Sequence, residues 1–239
     1  MLICDGSALM RTLVGRIVET DPALRVAGKA MNGAFALGKI PKLDPDIIIL
    51  DVVMSEMNGI DFLRERRRLG IEAPVVILSS LASKSAEITM EALNLGASDF
   101  IMKPSGSVSE DIRSVADSIR EMIHAYGGQY RKNRRMTPAP AGTSAVRPPA
   151  TVAPAPRPEP GKTPPKEEKI VPLREPGRMD LVAIGVSTGG PNALREVFSG
   201  LQPDFGVPVV VVQHMPAGFT AEFAKSLDRI CPLEVKEAE

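Results

Sequence analysis

The chain has 239 residues, 44% hydrophobic and 24% charged, enough for two domains of ordinary size with buried cores. Lys plus Arg and Asp plus Glu both number 29, so no basic excess points to nucleic acid or to a membrane surface. Only Cys4 and Cys231 occur, which excludes a disulfide framework or a zinc spacing and suits a reducing cytoplasm, and no apolar run approaches the length of a membrane span.

The chain opens at once on strand-like Met1 to Cys4, with no basic-then-apolar leader, so a cytoplasmic protein without direct membrane insertion is expected. Further apolar runs follow at Arg25 to Ala30, Ile47 to Leu50, Val75 to Leu78 and Phe100 to Met102. Helical patterns separate them: Ala8 to Val18, Ala34 to Ile40, Ile60 to Arg68, Ala86 to Leu95 and Ile112 to Ile123. The central strands are apolar without alternation, as expected where both sheet faces are covered. Strand-helix alternation of this kind predicts a doubly wound, flavodoxin-like α/β domain with a parallel sheet in the order 2-1-3-4-5, over residues 1–128.

Four residues fall at carboxyl ends of these strands and would converge on one crevice: Asp5, Asp51, Ser79 and Lys103. Asp51 follows Ile47 to Leu50, an unfavourable place for a charge unless a cation compensates it. Lys103 can supply that cation and Ser79 a hydroxyl. A carboxylate so surrounded can accept a phosphoryl group, a divalent ion neutralising the incoming charge. A surface Asp and Lys at strand ends is the competing reading from residue types alone.

Ser7-Ala-Leu-Met-Arg11, Leu50-Asp-Val-Val-Met54 with Asn58-Gly59, Ser79-Ser-Leu81, Leu95-Gly-Ala97 and Asp99-Phe-Ile-Met-Lys-Pro104 resemble a response-regulator receiver domain. The resemblance implies that Asp51 is the phosphoryl acceptor, Ser79 the switch hydroxyl and Lys103 the phosphate-contacting cation, and that the Lys103-Pro104 bond is cis. It also implies Mg²⁺ held by Asp5, Asp51 and a backbone carbonyl near Val53. The sequence departs from the family where Gly6 replaces a second acid and Ser55 a usual proline. A hard cation that loses a carboxylate ligand is held less firmly, so weakened Mg²⁺ binding and impaired phosphorylation are expected.

Between Thr137 and Pro176 lie 12 of the 22 prolines, a composition that predicts an extended tether, and the linker is set at residues 129–178. Arg131, Lys132, Arg134 and Arg135 at its start read as a solvated flank. His124, late in the preceding helix, reads as a surface side chain near a helix C-terminus. Met54, Met57 and Met102 read as packing around the acceptor crevice.

The third segment, residues 179–239, begins with a strand over Leu181 to Val186, expected to be buried, that breaks into the turn Ser187-Thr-Gly-Gly-Pro191 ahead of a helix over Asn192 to Phe198. A second strand over Val207 to Val212 delivers Gln213 and His214. Gly185-Val-Ser-Thr-Gly189 fits the G-x-S-x-G pattern of an exposed nucleophile at a strand-to-helix turn. Ser187 is thus a candidate nucleophile, His214 a candidate base, and the amides near Thr188 and Gly189 a candidate oxyanion hole. A dinucleotide loop competes, but G-x-G-x-x-G is missing and Gln213-His214 stands where an acid for the ribose is wanted. A structural turn with an incidental histidine is the other alternative.

Val182-Ala-Ile-Gly-Val-Ser-Thr-Gly-Gly-Pro191 and Val212-Gln-His-Met-Pro-Ala-Gly-Phe-Thr220 resemble the start of the chemotaxis protein-glutamate methylesterase catalytic domain, a family in which a receiver and linker precede this motif. The resemblance implies hydrolysis of methyl-esterified glutamates, and deamidation of glutamines, on methyl-accepting chemotaxis receptors, with a chemotaxis histidine kinase as phosphoryl donor. No cofactor is implied in the catalytic part. The family's third catalytic residue is an aspartate far downstream. Asp204 is placed at the wrong strand end and Asp228 on a solvated flank, so a C-terminally truncated, incomplete parallel α/β hydrolase domain is expected. A binding-only receiver with a vestigial, inactive effector is the alternative.

Overall fold

Strands β1 (Leu2–Cys4), β2 (Gly28–Ala30), β3 (Ile48–Asp51), β4 (Val75–Ser79) and β5 (Asp99–Met102) lie parallel in the order β2-β1-β3-β4-β5. This is the expected order, and the computed structural model describes residues 1–80, 83–103, 109–136 and 179–238. Register pairs Leu2 with Gly28 and Ile48, Ile48 with Val75, and Val76 with Asp99. Alternate side chains of each strand point to opposite faces, and both faces are covered. Leu2, Cys4, Ile48, Leu50, Val75 and Ile77 belong to one buried cluster with α2 (Gly33–Leu43), α3 (Gly59–Arg68) and α4 (Ser83–Asn94). Ile3, Ile49, Val76, Leu78 and Ile101 belong to the other, with α1 (Ala8–Glu19) and α5 (Ser109–Met122).

The helices start where short polar side chains take up free amides. Ser7, Asn32 and Asn58 accept from the amides of Met10, Phe35 and Asp61 at 3.3, 3.0 and 2.9 Å. The second strand is shorter than its apolar run, beginning at Gly28 rather than Arg25. Helix α2 runs past Pro41 to Leu43 and closes on Asp44, whose left-handed backbone (φ 42°) brings its amide to the Ile40 carbonyl.

The expected boundary at residue 128 falls inside a helix. After α5 the chain passes through a π-helical turn at Ile123–Gly127 into α6 (Gly128–Met136). Gly127 makes this possible, since a Cβ there would stand 3.3 Å from Ile47 Cγ2. Two of the four basic residues read as a solvated flank are paired, Arg131 with Asp46 and Arg134 with Asp44. His124 is not at a helix C-terminus; its Nε2 lies 2.7 Å from Asp21 Oδ2. The Pro-rich stretch from 137 to 178, and the Lys103-Pro104 bond, lie outside the described residues.

In the third segment β6 (Val182–Val186) and β7 (Val209–Gln213) pair in parallel, with α7 (Gly190–Ser199) and α8 (Phe219–Asp228) following them. β6 is not buried as expected. Ile184, Val186, Val209 and Val211 pack toward the helices, whereas Ala183, Gly185, Val210 and Val212 are exposed on the opposite face. Leu194, Phe198, Phe219, Phe223 and Leu227 join the α2–α4 cluster of the first domain. Phe219 stacks on Phe100 with centroids 5.2 Å apart. Among the described residues no helix is long and apolar enough to cross a membrane.

Candidate functional site

The acceptor crevice is built by strand ends. Asp51 closes β3 and Ser79 closes β4, while Asp5 and Lys103 follow β1 and β5 directly. Lys103 Nζ bridges the carboxylates, 2.8 Å from Asp51 Oδ2 and 3.0 Å from Asp5 Oδ2. Burial pushes the Asp51 carboxyl above its ordinary range; the bond from Lys103 counters this and the neighbouring Asp5 charge adds to it. Burial works against the Lys103 charge, but the bonds to Asp51 and Asp5 prevail and hold its ammonium above the usual lysine value. Asp5 is further fixed by the Ser7 amide at 2.7 Å to Oδ1, while Arg11 donates to its backbone carbonyl at 2.7 Å.

A hard cation suits this donor set. Asp5 Oδ2 is buried and, among the described residues, faces only the Lys103 ammonium, 3.0 Å away. Asp51 Oδ1 accepts the Val53 amide at 3.1 Å. A Cβ at Gly6 would stand 3.8 Å from the Val53 carbonyl oxygen, so a side chain at that position would enter the same space as the expected oxygen ligands. Among the described residues no group of three or more His, Cys, Asp and Glu gathers, consistent with a crevice offering only two carboxylates.

Ser79 does not bond Asp51. Its hydroxyl pairs with that of Thr89, 2.8 Å away and buried on α4, a partner the sequence reading missed. Also missed was Asn32, buried, whose side-chain amide donates to Glu56 at 2.7 Å and so ties the β2–α2 junction to the β3–α3 loop. Met54 packs as expected, its sulfur 3.5 Å from Cys4 Sγ.

The second constellation lies in a cleft between the two folded parts. Ser187, Thr188, Gln213 and His214 line one side, and Phe100, Met102 and Met122 of β5 and α5 line the other. The G-x-S-x-G turn places Gly189 in the left-handed region (φ 82°) as the cap of α7, with Pro191 in the first turn. Ser187 and His214 are both exposed. The parallel step between β6 and β7 brings them to the same edge, where the His214 amide donates to the Val186 carbonyl at 3.3 Å.

The five-stranded domain reaches into this turn. Asp99 Oδ2 accepts the Gly189 amide at 2.8 Å and the Tyr126 hydroxyl at 3.0 Å. Asn192 donates to the Ser98 carbonyl at 2.8 Å, and Thr188 Oγ1 to Glu121 at 3.2 Å. Burial raises the Asp99 carboxyl above its ordinary range, opposed by the amides of Gly189 and Phe100 and by Tyr126. Neither Asp204 nor Asp228 lines the cleft; both are exposed, and Asp228 accepts the Val235 amide at 2.8 Å.

The five-stranded fold and the carboxylate crevice define a response-regulator receiver. Residues 1–117 match the response regulator receiver domain family, and residues 182–239 match the CheB methylesterase family. The two folded parts of the chain thus match these two families, the first followed by the second. The protein-glutamate methylesterase/protein-glutamine glutaminase of Treponema denticola is 52% identical over 239 residues. That of Treponema pallidum is 48% identical over 263 residues, and that of Bacillus subtilis 40% identical over 239. All of this chain is covered in each case, but it spans only 64%, 65% and 62% of those relatives. The response regulator domain of Thermotoga maritima CheB is 38% identical, covering 53% of this chain and 94% of that one at a TM-score of 0.48.

Proposed function

We propose that the chain is the receiver, tether and leading catalytic portion of a phosphorylation-regulated protein-glutamate methylesterase and protein-glutamine deamidase. It would act in the cytoplasm on methyl-accepting chemotaxis receptors, with a chemotaxis histidine kinase as phosphoryl donor. The observation that carries this reading is one cleft that holds both Ser187 and His214 and is walled by β5 and α5 of the receiver. The names borne by the relatives support the same substrate class.

Ser187 Oγ attacks the side-chain carbonyl of a methylated glutamate, its proton passing to His214. The amides of Thr188 and Gly189 at the start of α7 hold the negative oxygen. His214 returns the proton as methanol, or ammonia from a glutamine, departs and an acyl-enzyme forms. Water then attacks the acyl carbon, His214 takes its proton, and Ser187 leaves with glutamate released.

Control follows from who holds the Gly189 amide. With Asp99 bonded to it, that amide cannot serve an oxyanion, so basal turnover is confined to the fraction of molecules in which the receiver has shifted. Phosphorylation of Asp51, with Ser79 and Lys103 responding, biases that shift without touching the ester. Asp5, Asp51 and the Val53 carbonyl would hold Mg²⁺, which neutralises charge on the incoming phosphoryl group. Gly6 leaves that site one carboxylate short.

Methanol release from methylated receptor by the full-length protein tests the reading. Release that disappears in Ser187→Ala supports it. Release that persists in that variant, or its absence from the wild type under phosphorylating conditions, favours a binding-only receiver.

A further inference from the structure

We infer that Gln213 is a positioning residue that locks the nucleophile's turn to the strand carrying the base. The inference rests on the hydrolase reading and goes beyond it. Gln213 is the last residue of β7, in register with Val186, the last residue of β6. Its side chain crosses to the neighbouring turn: Nε2 donates to the Ser187 carbonyl at 3.0 Å and to the His214 carbonyl at 3.2 Å. One NH₂ group therefore bridges the backbone of both candidate catalytic residues. The Gly190 amide, at 2.9 Å, is the second donor on the Ser187 carbonyl.

The seat for this carboxamide is built into the sequence. A Cβ on Gly190 would stand 1.8 Å from Gln213 Oε1 and 2.7 Å from Cδ, so a side chain at 190 would push the carboxamide out of this position. Oε1 is buried with no hydrogen-bond partner among the described residues, a penalty that the packing accepts to keep the donor end on the two carbonyls. Two acceptors face the group, so a donor is required; a carboxylate of the same shape would face them with like partial charge. Fixing a nucleophile against its base is worth much in rate, because an ångström of misplacement is enough to slow reaction by about a hundredfold.

The test uses the full chain and two near-isosteric variants, Gln213→Met and Gln213→Glu. The first readout is hydrogen exchange of the amides of Gly189 and Gly190, which does not depend on chemistry. The second is the rate at which an organophosphorus fluoridate labels Ser187, followed by intact mass with Tm alongside. Gln213→Met should speed exchange by about tenfold and slow labelling by about tenfold to a hundredfold, with the receiver amides unchanged. For Gln213→Glu, labelling relative to wild type should recover as pH falls, because a protonated carboxyl again offers a donor. Wild-type exchange in Gln213→Met, or a Gln213→Glu ratio that is flat with pH, overturns the inference. A wild-type chain that does not label at Ser187 instead sinks the hydrolase reading, and exchange alone then decides whether Gln213 clamps the turn.

Discussion

Gly6 is the residue at which sequence and site bear on each other most directly. It stands beside Asp5, facing the Val53 carbonyl, where a carboxylate would add a charged oxygen to a crevice that has two. Gly6→Asp should therefore tighten Mg²⁺ by about tenfold in a fluorescence titration and quicken phosphorylation by a small-molecule donor. Equal affinity in the two forms would mean that residue 6 does not face the metal. The acids and the lysine of this crevice could be read from the sequence because each follows an apolar run that fixes its strand end. Thr89 and Asn32 could not, since a polar residue on a helix or at its cap looks alike whether it meets solvent or a buried partner across the fold. Gln213 was visible beside His214, yet only the β6–β7 register gives its side chain a target.

At the scale of elements, the strand order was legible because unbroken apolar runs alternating with helical periods leave few right-handed connections. The end of the receiver was not. Gly127-Gly128 followed by four basic residues resembles a helix stop and a solvated tether, but Gly127 allows a close approach to Ile47 and the helix continues. The face of α6 carries the reason: Tyr130 packs against the core cluster and Arg134 lies over its ring, 5.5 Å from the centroid. Tyr130→Ala should lower stability by about 1–2 kcal/mol in urea unfolding, through lost apolar burial. Arg134→Ala, removing a largely exposed pair with Asp44, should change it by less than about 1 kcal/mol. The reverse ranking would mean that charge rather than packing holds this helix.

On the scale of the whole molecule, the contact between the receiver and the methylesterase-like segment was invisible to pattern reading, because Asp99 belongs to a receiver-like motif and Gly189 to a hydrolase-like motif. Their bond joins two features that the sequence presents separately. Burial raises the Asp99 carboxyl, so the folded chain holds that proton more firmly than the unfolded one. Its ionised form therefore weighs against folding above the folded value, and the penalty is relieved as pH falls toward the ordinary carboxylate range. The stability of wild type relative to Asp99→Asn should thus decline as pH rises above the ordinary carboxylate range, read from urea midpoints. A difference that grows with pH would contradict the burial argument.

The central claim is that Asp51 governs access to a Ser187–His214 site without taking part in its chemistry. Methanol release by the full-length protein, measured before and after adding a phosphoryl donor in wild type and Asp51→Ala, tests it most directly. The account predicts equal basal release in both and stimulation in the wild type alone. Basal release that vanishes with Asp51, or stimulation that survives without it, would contradict it.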